Sequence, residues 1–166
     1  MVGVTQLSSG TILGAGTDKN LYTRATLNGG WVQIPNSGDM VGVTQLSDGT
    51  ILGVGTDKNL YTRATLNGGW VQIPNSGDMV GVTQLNNGTI LGVGMDNNLY
   101  TRATLNSSWM QIPNSGDMVG VTQLSDGTIL GVGTDKNLYT RATLNGGWVQ
   151  IPYSGDMVGV TQLSDV

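Results

Sequence analysis

The 166-residue chain carries three Lys, four Arg and eleven Asp, with no Glu, His or Cys, for a formal charge of −4. That inventory excludes imidazole general bases, Ser–His and Cys–His nucleophile pairs, thiolate metal sites and disulfides, and its acidity argues against a phosphate-backbone partner. No apolar run approaches the roughly 20 residues of a membrane span, and no signal peptide is visible at the N-terminus. The expectation is a soluble, non-enzymatic protein with no cofactor, no nucleic-acid partner and no membrane insertion.

Met1, Met40, Met79, Met118 and Met157 open equivalent segments, so the chain repeats every 39 residues. The units are 1–39, 40–78, 79–117 and 118–156, followed by a fifth start, 157–166, all read as one domain. Within the second unit, Val41 to Leu46 reads as a short β-branched strand. Asp48-Gly49 follows as a hairpin turn, because glycine accepts positive φ without steric cost. Thr50 to Thr56 is a second strand, whose glycines mark close approach by a neighbour. Asp57-Lys58-Asn59 turns the chain into a third strand, Leu60 to Thr65, with Tyr61, Arg63 and Thr65 on one face. Asn67-Gly68-Gly69 turns it again into a fourth strand, Trp70 to Ile73, which Pro74 ends. No window holds a 3.6-residue period long enough for a helix.

The copies are nearly identical. The first two differ only at Ser9/Asp48 and Ala15/Val54, and the second and fourth only at Asn75/Tyr153. The third departs at Asn86, Asn87, Met95, Asn97, Ser107, Ser108 and Met110. Such identity points to recent duplication or deliberate design. Four short strands per unit of about 40 residues is the pattern of propeller blades, each hiding its faces against its neighbours. The expected fold is therefore all-β: a β-propeller of four-stranded blades, four per chain plus one extra strand. A β-solenoid is the competing architecture.

The unit resembles the tectonin type of β-propeller. The shared features are Trp70-Val-Gln-Ile73-Pro74, the Asp48-Gly49 turn, Gly53-Val54-Gly55 and the apolar-Tyr-x-Arg strand Leu60-Tyr61-Thr62-Arg63, and the match covers every copy, with Gly14-Ala15-Gly16 in the first and Trp109-Met110 in the third. At the hairpin turn the other copies carry Ser9-Gly10, Asn87-Gly88 and Asp126-Gly127. The resemblance implies a propeller, commonly of six blades where this chain holds four, and a lectin-like role, including binding of methylated or bacterial surface glycans.

In propellers the first strand lines the central channel and the fourth is outermost. The inter-unit linkers and the turns between second and third strands then share one end of the ring. Sugars need rigid donors and acceptors beside an apolar face, and that end collects candidates in each unit. They are Asp18, Lys19, Asn20, Asn36 and Asp39 in the first; Asp57, Lys58, Asn59, Asn75 and Asp78 in the second; and Asp135, Lys136, Asn137, Tyr153 and Asp156 in the fourth. Turn geometry alone also accounts for these residue types. Trp31, Trp70, Trp109 and Trp148 read as wedges between blades rather than stacking platforms. Arg24, Arg63, Arg102 and Arg141 read as solvated or paired with Asp. The aspartates are too scattered for a calcium loop, so no metal is expected. Asn87-Gly88-Thr89 and Asn106-Ser107-Ser108 fit a glycosylation pattern that matters only in a secreted chain.

Two functions fit: a multivalent carbohydrate-binding protein with one weak site per blade, or a structural scaffold, designed or newly amplified, with no small-molecule activity. The inner-strand sequence occurs five times and the other three strands four times each. A surplus apolar strand seeks an edge, either clasping its own ring by displacing Met1 to Leu7 or inserting into another chain. The second is favoured, so a homo-oligomer by strand exchange is expected.

Overall fold

The computed structural model describes residues 1–163. It holds sixteen strands in four antiparallel sheets, each built from one repeat. Blade one is β1 (Gly3–Gln6), β2 (Ile12–Ala15), β3 (Leu21–Arg24) and β4 (Val32–Gln33). Blade two is β5 (Met40–Gln45), β6 (Ile51–Gly55), β7 (Leu60–Arg63) and β8 (Val71–Gln72). Blade three is β9 (Met79–Gln84), β10 (Ile90–Gly94), β11 (Leu99–Arg102) and β12 (Met110–Gln111). Blade four is β13 (Met118–Gln123), β14 (Ile129–Gly133), β15 (Leu138–Arg141) and β16 (Val149–Gln150). Each sheet runs in chain order, and the inner strands pack in series, β1 on β5, β5 on β9 and β9 on β13. The molecule is a four-bladed β-propeller. In a solenoid, strands pair between successive units; here they pair only within one.

Local chemistry sets each turn. Gly49 adopts φ 92°, its N–H donates to the Leu46 carbonyl at 2.9 Å, and Thr50 N–H donates to Asp48 Oδ1 at 2.9 Å. The outermost strand is two residues long and exposed, shorter than the Trp70 to Ile73 stretch expected. Tyr61 pairs with Gln72 and Thr62 with Val71, and the ladder ends there. The linker after it is locked by Ser76, fully buried, whose hydroxyl donates to the Ile73 carbonyl at 2.6 Å and accepts the Leu60 N–H at 2.8 Å.

Blades join face to face. Leu7, Leu13, Ala15, Leu21 and Ile34 of blade one meet Met40, Val43 and Ile51 of blade two, with Tyr61, Leu66 and Trp70 packed on them. The same junction recurs between blades two and three and between three and four. Each of these tryptophans is thus the wedge expected. Gly53 makes room for it: a Cβ there would lie 3.0 Å from the Trp70 ring and 2.8 Å from Met40 Sδ.

The arginines correct the expectation of solvation or Asp pairing. Arg63, Arg102 and Arg141 are buried, each guanidinium 4.8–4.9 Å from the centroid of its own blade's Trp ring. Arg63 and Arg141 donate to the carbonyls of Gly68 and Gly146, and Arg102 Nε donates to Ser107 O at 2.7 Å. Burial pushes all three guanidinium groups below their ordinary range. A cation on a desolvated indole face contributes about 1–2 kcal/mol. The strand's alternation put Arg63 beside Tyr61, but only the neighbouring blade decides that this face is covered.

The junction between blade four and blade one differs. Met40, Met79 and Met118 are 2 % exposed, but Met1 is 47 % exposed. Arg24 is only partly buried, Leu27 is 63 % exposed, and Leu138 and Ile151 lose the burial of their counterparts Leu60 and Ile73. Residues 157–163, the fifth copy of the inner-strand sequence, run beside β13 without entering a ladder. Ser125 N–H donates to Gln162 Oε1 at 2.6 Å, repeating the bonds from Ser8 to Gln45, Ser47 to Gln84 and Asn86 to Gln123 at 2.7 Å. β1 keeps its own place beside β2, so the tail does not displace Met1 to Leu7 within the chain. The last part of the expected extra strand, 164–166, lies outside the described residues.

Candidate functional site

Each interior junction forms a pocket between the incoming linker and the blade it leads into. The first is lined by Gly38 and Asp39 from the linker and by Met40, Gly55, Thr56, Asp57, Tyr61 and Trp70 of blade two, around about 270 Å³. The second places Asp78 and Met79 against Met95, Asp96, Tyr100 and Trp109 around about 400 Å³. The third places Asp117 and Met118 against Thr134, Asp135, Tyr139 and Trp148 around about 380 Å³.

Hydrogen bonds fix this geometry. In the first pocket Tyr61 Oη donates to Asp57 Oδ2 at 2.7 Å, Asn59 Nδ2 donates to the same oxygen at 3.0 Å, and Asn59 N–H donates to Oδ1 at 3.1 Å. The tyrosine bond, then the asparagine bonds, hold the Asp57 carboxyl below its ordinary 3.8. The same bond to Asp57 leads in pushing the Tyr61 phenol above its ordinary 10.0, with a smaller push from the charge of Asp39. Across the junction, Thr56 N–H donates to the Asp39 carbonyl at 2.8 Å, and the same bond joins Met95 to Asp78 and Thr134 to Asp117. Asp39, Asp78 and Asp117 sit at φ 65–66°, left-handed backbone that Asp tolerates better than most residues. Their carboxylates carry no hydrogen bond among the described residues. Each pocket therefore offers one braced carboxylate, one free carboxylate, a phenol, an indole and a thioether, the second pocket having two thioethers, with no lining cation.

The linkers and the second-to-third strand turns do share one end of the molecule, but the pockets regroup the candidates. Asp57 belongs with Asp39 of the preceding linker, while Asp78 belongs to the next pocket with Asp96. Asp135 pairs with Asp117. Lys19, Lys58 and Lys136 shape their turns at φ 69–70° and do not line these cavities. Asn20, Asn59 and Asn137 face their own linkers, where Asn59 Oδ1 lies 3.0 Å from the position a Gly77 Cβ would take. Asn36, Asn75 and Tyr153 occupy one left-handed linker position at φ 53–58°, with Tyr153 fully exposed. Asp18 and Asp156 lie on opposite sides of the junction between the last and first blades. The sequence reading passed over Asp96, Asp117 and the pocket tyrosines Tyr61, Tyr100 and Tyr139, and took the tryptophans as packing. The signal for Asp96 and the tyrosines was the fixed Asp-x-x-x-Tyr spacing, which places both groups on one turn and strand.

The tectonin domain family model matches residues 3–166. Among solved structures, a streptogramin B lyase is 17 % identical with a TM-score of 0.59, over 91 % of this chain and 54 % of that one. YCF48 from Cyanidioschyzon merolae is 13 % identical with a TM-score of 0.61, over 93 % and 56 %. The RRP9 WD40 repeats are 11 % identical with a TM-score of 0.62, over 90 % and 50 %. The chain thus spans about half the length of these proteins, and at such identities the likeness is one of fold. No curated protein matches the chain.

Proposed function

We propose that this chain, which belongs to the tectonin family, is a multivalent carbohydrate-binding protein with one weak site at each blade junction. The observation that carries this reading is a pocket repeated with the same residue kinds: two carboxylates, a phenol, an indole and a methionine. Carboxylates accept from sugar hydroxyls, and the indole and thioether cover the C–H face. The free carboxylate of Asp39, Asp78 or Asp117 is the natural hydroxyl acceptor, since its partner is already engaged by tyrosine. With no lining cation, these pockets favour neutral or amine-bearing sugars over sulfated or sialylated ones. Three similar sites on one rigid body gain strength by avidity, by a factor of about 10²–10⁴ without new contacts. In the second pocket Met95 replaces a threonine, which makes that site more apolar. The absence of His, Cys and Glu supports binding rather than catalysis.

The test is a glycan array, followed by titration of any hit. Replacing Asp39, Asp78 and Asp117 together by Asn preserves a residue that accepts left-handed backbone, and is expected to weaken binding at least tenfold. Lys58→Ala with Asn75→Ala leaves it unchanged. Unaltered binding by the triple variant removes these pockets as the site, and an array with no hit removes the lectin reading. The second reading is a structural scaffold without a small-molecule ligand, favoured by the near-identity of the copies, and an empty array is its expected result.

A further inference from the structure

The junction between blade four and blade one holds the two halves of a fourth pocket, unjoined. On one side Met157 N–H donates to the Lys136 carbonyl at 3.0 Å, as Met40 does to Lys19, and Asp156 adopts φ 67°, as Asp39 adopts 65°. On the other side Tyr22 Oη donates to Asp18 Oδ2 at 2.7 Å, the same brace as in the interior pockets. The bond that closes each interior junction, from Thr56 N–H to the Asp39 carbonyl and its equivalents, has no counterpart from Thr17 to Asp156 among the described residues.

We propose that a second copy of the chain closes this junction. Blade one of that copy docks on blade four, and residues 157–163 take the inner slot beside its β2, displacing its first seven residues. Three observations argue for this occupant. The docking faces are the two halves of an interface already formed between consecutive blades, so shape and register match by sequence identity. Residues 157–163 repeat residues 1–7 without a change, and they already lie along β13 in the place that β5 takes along β1, outside any ladder. The present occupant, β1, makes one ladder pair fewer than its counterpart: its pairing starts at Gly3, whereas in blade two Met40 also pairs with Gly55 across a bulge. Such a contact joins unlike faces head to tail, which closes into rings or runs into chains rather than forming isologous pairs. In each closed junction, Asp156 and Met157 of one copy complete a fourth pocket with Asp18, Tyr22 and Trp31 of the next.

The assembly is measured without glycan, so its outcome is separate from that of the lectin reading. Light scattering of the 166-residue protein across the micromolar range is expected to give the mass of two or more copies. Val160→Asp spoils the donated strand, and Leu27→Asp spoils the accepting face. Each alone is expected to run at the mass of one chain with an unchanged strand spectrum. Mixed, they restore one intact junction and give a two-chain species. A full chain that stays at the mass of one copy at every concentration overturns the proposal, as does a multimer that neither substitution dissolves.

Discussion

Two kinds of junction in this molecule are written in almost the same residues and buried to different degrees. Between blades two and three, Leu60, Ile73, Met79 and Ile90 share one dry core with Trp109 on its edge. Where blade four meets blade one, Leu138 and Ile151 are half-buried, and Trp31 and Leu27 join no such core. Local propensity is the same in both places, so it cannot be the cause. Burial here comes from the presence of a complete neighbour, which is how stability is distributed in a repeat array.

The largest effect that sharpens this contrast comes from the wedge itself. Trp70→Ala, measured by urea unfolding in a Val160→Asp background where no second copy covers the open face, is expected to cost about 3 kcal/mol or more, and Trp31→Ala about half of that. Equal costs would erase the distinction between the junctions. A smaller effect lies in the linker on the open side. Tyr153 is a bulky, fully exposed residue at φ 58°, where the other three units carry Asn. Tyr153→Asn is expected to raise stability by about 0.5–1 kcal/mol, and Asn75→Tyr to lower it by as much. Thermal melts of the two variants measure the pair, and a stabilising Asn75→Tyr would show that the tyrosine is not strained.

The smallest effect is in titration. Tyr61, Tyr100, Tyr139 and Tyr22 are all pushed up first by the bond to their own turn aspartate and then by desolvation, and the first three also by the linker aspartate across the junction, which Tyr22 lacks. Spectrophotometric titration, with Tyr22→Phe to assign its phenol, is expected to find Tyr22 ionising before these three. Because the folded phenols sit above 10.0, their stabilisation is complete below that pH and is lost as pH rises through the folded value. Asp57 and its equivalents sit below 3.8, so theirs is complete above that pH and is lost as pH falls through the lower folded value. A melting temperature flat from about pH 5 to 9 and falling on both sides is the expected profile.

Much of the fold was legible because the period, the Asp48-Gly49 and Asn67-Gly68-Gly69 turns and the single Trp per unit are local signals. The pockets were half legible. Asp57 and Asp78 read from the sequence as polar groups at one end of the ring, grouped together as members of one unit, whereas they line different pockets. Their actual partners come from the units before and after, and no spacing within a unit encodes which faces will meet. The arginines were misread for a related reason. A charged residue alternating with Tyr61 looks solvated until the adjacent blade and the Trp70 ring close over it.

The glutamine bonds between blades span 37 residues each, from Gln45 to Ser8, Gln84 to Ser47 and Gln123 to Asn86. The acceptor is a side chain common to every unit, and the donor is a backbone N–H, indifferent to whether the residue is Ser or Asn. Removing or adding one whole unit therefore gives every remaining glutamine an equivalent partner, and each new neighbour meets the same apolar face. Unequal recombination between adjacent copies changes the length of the gene in whole blades while conserving every junction. Selection is then offered propellers of different circumference instead of misfolded chains.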